Sequence, residues 1–130
     1  MWWGYILLIT TLFPLTGQSV LSPEAPSGDG TESSPLEVTT PTHLAWIAKM
    51  DNGGENLRGV WIAQKCDIDL AITKELNSGE GWTPIGGYVF LGGREVKVGF
   101  EGYYDGEGHS ISNLYMNRPK HDYQGLFGYV

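Results

Sequence analysis

Asp105, Glu107 and His109, three side chains able to move protons or hold a cation, alternate along the chain with Gly106 and Gly108 between them. On an extended backbone, residues two apart point to one side, so the three share a face as a candidate metal or acid–base set. The plainer reading, and the preferred one, takes them as polar groups of a glycine-rich turn. Asp67 and Asp69 form a second alternating pair, a candidate Ca²⁺ contact but better suited to a solvated outer face. Cys66 falls on the apolar side of the same stretch and reads as a small buried hydrophobe rather than a reactive thiol. Trp61, Trp82, Tyr88 and Tyr104 are candidate platforms for stacking on a sugar ring, with core packing as the alternative. His43 and His121 have no partner evident in the sequence. No H-E-x-x-H, G-x-S-x-G, P-loop or Rossmann fingerprint is present. No catalytic residue, no metal site and no cofactor is therefore expected.

The chain that must position these groups has 130 residues, a net charge of −7, 19 glycines and one cysteine. That length suits one modest domain. Without a surplus of Lys or Arg there is nothing to displace phosphate counterions, so a nucleic-acid partner is not expected. One cysteine excludes an intrachain disulfide framework and a Cys-rich zinc site. Glycine without a Gly-X-Y period excludes collagen and implies a chain that turns often.

The totals mix three unlike segments. Residues 1–19 carry no charged side chain, and the apolar stretch 2–15 is too short to span a bilayer, which takes about 20 residues. It fits the apolar region of a secretory signal, with Gly17-Gln18-Ser19 placing small residues for cleavage before Val20. Residues 20–41 hold four prolines, several Ser and Thr, and the acids Glu24, Asp29, Glu32 and Glu37 with no base. Too little apolar surface is available there to offset the ordering entropy, so a disordered acidic linker is expected. Residues 42–130 are then the folded part.

That part opens with a helix. Thr40 can cap it, Pro41 suits its first position, and Leu44, Ile47, Ala48 and Met50 follow helical spacing until Asn52-Gly53-Gly54 stops it. Beyond it the period changes to two. Val60, Ile62, Cys66, Ile68 and Leu70 lie on one face of an extended run, interrupted by Gln64. Short extended pieces follow near 89–91, 96–104, 109–116 and 125–130, each bounded by glycine. One helix and many short strands admit a sandwich, a small barrel or a solenoid. Gly99-Phe100-Glu101-Gly102 and Gly125-Leu126-Phe127-Gly128 begin 26 residues apart, a spacing compatible with one solenoid coil.

The run from Gly99 through Gly102, Tyr103-Tyr104-Asp105-Gly106, Gly108-His109 and Ile111-Ser112-Asn113-Leu114 resembles the F-x-G-x-F-D-G-x-G-H-x-I-x-N-L signature of bacterial surface proteins. Gly125-Leu126-Phe127-Gly128 is similar to the GLUG motif that names the family. Leu44-Ala45-Trp46-Ile47-Ala48, Asp67-Ile68-Asp69-Leu70 and Trp82-Thr83-Pro84-Ile85-Gly86 resemble its opening helix, first coil and next turn in the same order. The resemblance spans nearly all of 42–130, with Tyr104 in place of the usual Phe. It implies a mainly β fold, a right-handed parallel β-helix started by an N-terminal capping α-helix, in exported proteins with adhesive or scaffold roles. Related N-terminal regions occur in IgA-cleaving metallopeptidases, whose chemistry lies far downstream. Gly102, Asp105, Gly106, Gly108, His109, Asn113, Gly125, Leu126, Phe127 and Gly128 are then structural motif residues. Asp105 to Gly108 serve a tight turn, Asn113 a side-chain bond to a neighbouring coil, and the 125–128 glycines a bend.

The expected product is a secreted or cell-surface, non-enzymatic module contacting an unidentified protein or glycan. The competing reading is part of a carbohydrate-active or protease-associated β-helix. An open last coil would be a liability, so downstream coils or another chain are expected at the C-terminal end.

Overall fold

The Thr40 hydroxyl accepts a 3.3 Å hydrogen bond from the His43 amide, and Pro41 occupies the first helical position, where its missing N–H costs nothing. In the computed structural model, which describes residues 21–55 and 57–130, this cap opens helix α1 (Pro41–Asn52). The expected signal segment 1–19 lies outside the described residues. The buried face of α1 is Leu44, Ile47, Ala48 and Asp51, the i, i+3, i+4, i+7 stripe of an amphipathic helix. Met50, expected on that stripe, is only half-buried, and the carboxylate of Asp51 takes the inward position instead.

The strands that follow the chain are β1 (Leu36–Val38), β2 (Trp61–Gln64), β3 (Ile68–Asp69), β4 (Gly87–Leu91), β5 (Arg94–Val98), β6 (Tyr103–Asp105) and β7 (Ile111–Ser112). They form a three-stranded parallel sheet in the order β1-β2-β6, a parallel pair β3-β7 and an antiparallel hairpin β4-β5. Ile85 and Phe127 add an isolated parallel bridge. Two single-turn 3₁₀ segments, Ala71–Glu75 and Asn77–Gly79, lie between β3 and β4. The hairpin closes through Gly92-Gly93, both at positive φ (57° and 79°), the two-residue turn whose twist matches that of paired strands.

The expected right-handed parallel β-helix is not what the described residues form. Parallel partners are 26 residues apart between β1 and β2 (Leu36 and Ile62) but 42 between β2 and β6 (Trp61 and Tyr103) and 43 between β3 and β7 (Ile68 and Ile111). No common coil length exists, the parallel sheets have only three and two strands, and an antiparallel hairpin intervenes. The glycine clusters at 99–102 and 125–128 do not stack as successive strands. They meet instead through side chains, the Phe100 and Phe127 rings packing with centroids 5.1 Å apart.

The expected linker 20–41 is also corrected. Leu36 and Val38 flank Glu37 in β1, pointing inward while Glu37 points out, and Leu21 and Pro26 are buried as well. Enclosing a Val or Leu side chain contributes about 1.5–3 kcal/mol, enough to hold three residues in a sheet despite a polar neighbourhood. The core gathers Leu36 and Val38 with Leu44 and Ile47 of α1, Ile62, Ile68, Leu70, Trp82, Ile85 and Phe100. Folded structure thus begins well before residue 42.

Candidate functional site

Alternation across the parallel sheet sorts its side chains into two faces. Leu36, Ile62 and Tyr104 are in register on the inner face, and so are Val38 and Gln64 one pleat on. Gln64 is buried, which explains why it interrupted the apolar pattern of the sequence without breaking its period. Its amide donates to Cys66 O at 3.0 Å and Ser110 O at 2.9 Å, and its side-chain oxygen accepts from the Tyr104 phenol at 2.9 Å. Thr73 repeats the arrangement one corner further. Its hydroxyl donates to Leu70 O at 2.6 Å and accepts from the Tyr115 amide at 2.8 Å.

The alternating set Asp105, Glu107 and His109 is not brought to one point. Asp105 Oδ1 accepts from the Glu107 amide at 2.9 Å, closing its own turn. Glu107 receives the Lys65 ammonium at 3.1 Å on both oxygens. His109 Nδ1 lies 3.4 Å from Asp67 Oδ1. The turn itself uses left-handed Glu107 (φ 50°) and Gly108 (φ 77°), with the His109 amide donating to Gly106 O at 2.9 Å. Asp67 also accepts from the Ser110 amide at 2.9 Å, and Asp69 Oδ1 accepts from Asn113 Nδ2 at 3.0 Å and the Ala71 amide at 2.9 Å. The Ser110 amide, helped by His109, holds the Asp67 carboxyl below the usual carboxylate range. Asn113, helped by the Ala71 amide, does the same for Asp69. Among the described residues no three His, Cys, Asp or Glu side chains gather as a metal site.

The aromatic candidates divide. Trp82 is buried and its indole N–H donates to Leu126 O at 3.1 Å, so it is a core residue. Tyr104 faces inward onto Gln64, and burial pushes its phenol up to about 12. The side chain of Tyr88, in β4, lies outside the described residues. Trp61 is on the outer face, stacked on Tyr103 with ring centroids 4.5 Å apart, and Tyr103 is 53% exposed. The next outward row is Glu37, Ala63 and Asp105 in register. Tyr103 escaped the sequence reading, although the alternation Tyr103-Tyr104-Asp105 places it beside Trp61. Leu126 and Phe127 are both half-buried. Phe127 packs on Phe100 at 5.1 Å and edge-on to Tyr104 at 5.4 Å. Gly125 is left-handed (φ 144°), whereas Gly128 and Gly102 serve close approach. A side chain on Gly128 would meet Gly86 O at 2.6 Å, and one on Gly102 would meet Val60 O at 2.9 Å. Cys66 is half-buried and its thiol donates to Thr39 O at 3.2 Å. His43 finds a partner too, accepting from the Thr39 amide at 3.1 Å.

Two features were not foreseen. Asp51 is buried at the end of α1 with Oδ2 unpaired, and burial, reinforced by the charge of Glu101, raises its pKa to about 6. The second is a cavity of about 250 Å³ between the turn at 83–87 and the loop at 118–124, lined by Glu95, Arg118, His121, Asp122, Tyr123 and Gln124 among others. The sequence marks that loop only as a polar stretch between apolar pieces, with His121 its one chemical signal.

No family profile and no solved structure matches the chain. Two curated relatives do. The chain is 30% identical over 125 residues, 96% of its length, to a protein of Evansella cellulosilytica provisionally named a Gly-rich membrane protein. It is 36% identical over 104 residues, 78% of its length, to halomucin of Haloquadratum walsbyi. It spans only 13% of the first relative and 1% of the second. No helix among the described residues is long and apolar enough to cross a membrane.

Proposed function

We propose that this chain is a non-enzymatic, membrane- or surface-associated module of an exported protein, which contacts an external ligand through its outer face. One observation carries the reading. Every side chain of the candidate chemical cluster is already engaged in local structure: Asp105 on its own turn, Glu107 on Lys65, and His109 on Asp67. A general acid or base must reach a substrate proton, and a metal needs converging ligands. These groups diverge to separate partners instead.

The names of the two relatives, a Gly-rich membrane protein and halomucin, support the location, and the charge-free residues 1–19 support export. The resemblance to GLUG-motif surface proteins supports an adhesive or scaffold role. The test has two arms. Antibody labelling of intact producing cells is expected to find the chain outside, and label confined to lysed cells would overturn the location. The purified chain is expected to turn over no member of a polysaccharide panel. Turnover abolished by Asp105→Ala would overturn the non-enzymatic reading.

A further inference from the structure

The cavity beside the 118–124 loop has walls tied by side-chain hydrogen bonds. Its floor is fixed by Asn52, whose Nδ2 donates to Pro84 O at 2.9 Å while its Oδ1 accepts from the Gly86 amide at 3.0 Å. Its wall is fixed by Gln124, whose Nε2 donates to Arg118 O at 2.7 Å and His121 O at 2.9 Å. Tyr123 in that wall is held left-handed at φ 59°, a conformation costly for a bulky side chain and concentrated at ligand sites. Arg118 is enclosed, with a side chain only 14% exposed, yet its guanidinium makes one contact among the described residues, 3.4 Å to Glu80 Oε1. A guanidinium carries five donors, and those that Glu80 does not use are not sealed from solvent, so they remain open to an acceptor entering the cavity.

The geometry points to a binding site here for one neutral saccharide residue. Charge selects the class. Arg118 shares the cavity with Glu95 and Asp122, so an anion meets no net attraction. The same wall offers donors on Arg118 and acceptors on Glu95 and Asp122. A hydroxyl both donates and accepts, so a pair of adjacent sugar hydroxyls satisfies both kinds of group, whereas a phosphate satisfies only the donors. Tyr123, whose ring meets Tyr129 edge-on at 5.6 Å, also lines the cavity and brings aromatic surface to its wall. Size selects the extent. At about 250 Å³ the cavity falls below the roughly 300–1,000 Å³ that hold drug-sized ligands, so it takes one ring, the terminal residue of a glycan. This deepens the surface-module reading, and rests on it, by giving the module a ligand class.

Saturation-transfer NMR on the full chain tests it, with the methyl glycosides of glucose, galactose and mannose and, separately, inorganic phosphate and glucuronate. At least one neutral glycoside is expected to bind in the millimolar range. Arg118→Gln and Asp122→Asn are each expected to weaken it at least about tenfold, while Lys74→Gln, exposed and outside the cavity, leaves it unchanged. Asp122 is exposed, so its variant carries the test if Arg118→Gln fails to fold by circular dichroism. Silence from all three glycosides, binding confined to the anions, or binding that survives both cavity variants would overturn the assignment. Cell labelling reads the location independently, so a failure here is distinguishable from a failure of the surface-module reading.

Discussion

The phenol of Tyr104 donates a 2.9 Å hydrogen bond to Oε1 of Gln64, tying β6 to β2 on the inner face of the parallel sheet. Because Gln64 also gives its amide to Cys66 O and Ser110 O, one buried side chain joins three stretches of backbone.

Removing either partner should therefore cost unequal amounts. Gln64→Leu takes the side-chain partner from the Cys66 carbonyl and the Tyr104 phenol, while Ser110 O keeps its bond from the Ile68 amide, and is expected to destabilise by about 2–3 kcal/mol. Tyr104→Phe removes one bond and is expected to cost about 1 kcal/mol. Urea unfolding of both variants checks the order, and an equal or reversed order would contradict the network.

Asp51 predicts an inverted pH effect. Its pKa rises from 3.8 to about 6 on folding, so the folded chain binds the extra proton between those values. Stability from this group is present below pH 3.8 and is lost as pH rises through 6. Asp51→Asn should stabilise the protein at pH 7, on the order of 1 kcal/mol, and the gain should shrink toward pH 4. A thermal melting series at several pH values reads it.

Asp67 and Asp69 run the other way. Their carboxyls are held low in the fold, so their contribution is present above the unfolded value near 3.8 and is lost as pH falls through the lowered one. The double variant Asp67→Asn/Asp69→Asn should be less stable than wild type at neutral pH, with the difference closing in strong acid. An undiminished difference at the acid end would count against these bonds.

Two glycines separate backbone strain from crowding. Gly59 and Gly86 have nearly the same positive φ, 74° and 76°, but only at Gly86 would a side chain collide, with Tyr129 O at 2.6 Å and the Phe100 amide at 2.8 Å. Gly59→Ala is expected to cost about 1 kcal/mol, and Gly86→Ala about 2 kcal/mol more. Equal losses in chemical denaturation would contradict the close packing of the 86, 99 and 129 segments.

What could be read in the sequence was local. The Thr40 cap, the Pro41 start and the stop after Asn52 each depend on a few adjacent residues, and the helix lies where they place it. The period-two run from Ile62 to Leu70 also keeps its inner face, although it bends between β2 and β3. What was not legible depends on contacts distant in the chain. Leu36 and Val38 looked like stray apolar residues in a polar segment until Ile62 and Gln64 came alongside. Asp51 sits on the correct helical stripe, but its charge hid the pattern. The cavity needs a loop near 120 to meet a turn near 85, and no local signal records that meeting. Family likeness suggested a uniform coil, whereas the pairing distances are unequal.

Those distances have a kinetic consequence. Tyr103 cannot find Trp61, nor Ile111 find Ile68, until more than 40 residues of chain have been gathered between them. The hairpin β4-β5 and helix α1 close over short loops and can form first, leaving the parallel pairs to a later, slower search. Yet closure entropy grows only logarithmically, about 0.6 kcal/mol for each doubling of a loop. The hairpin sits wholly inside the connection from β2 to β6, so lengthening it by a few residues changes that search little. Its Gly92-Gly93 tip is thus the place where this chain can accept an insertion, such as an epitope or a reporter, while the sheet it interrupts still assembles.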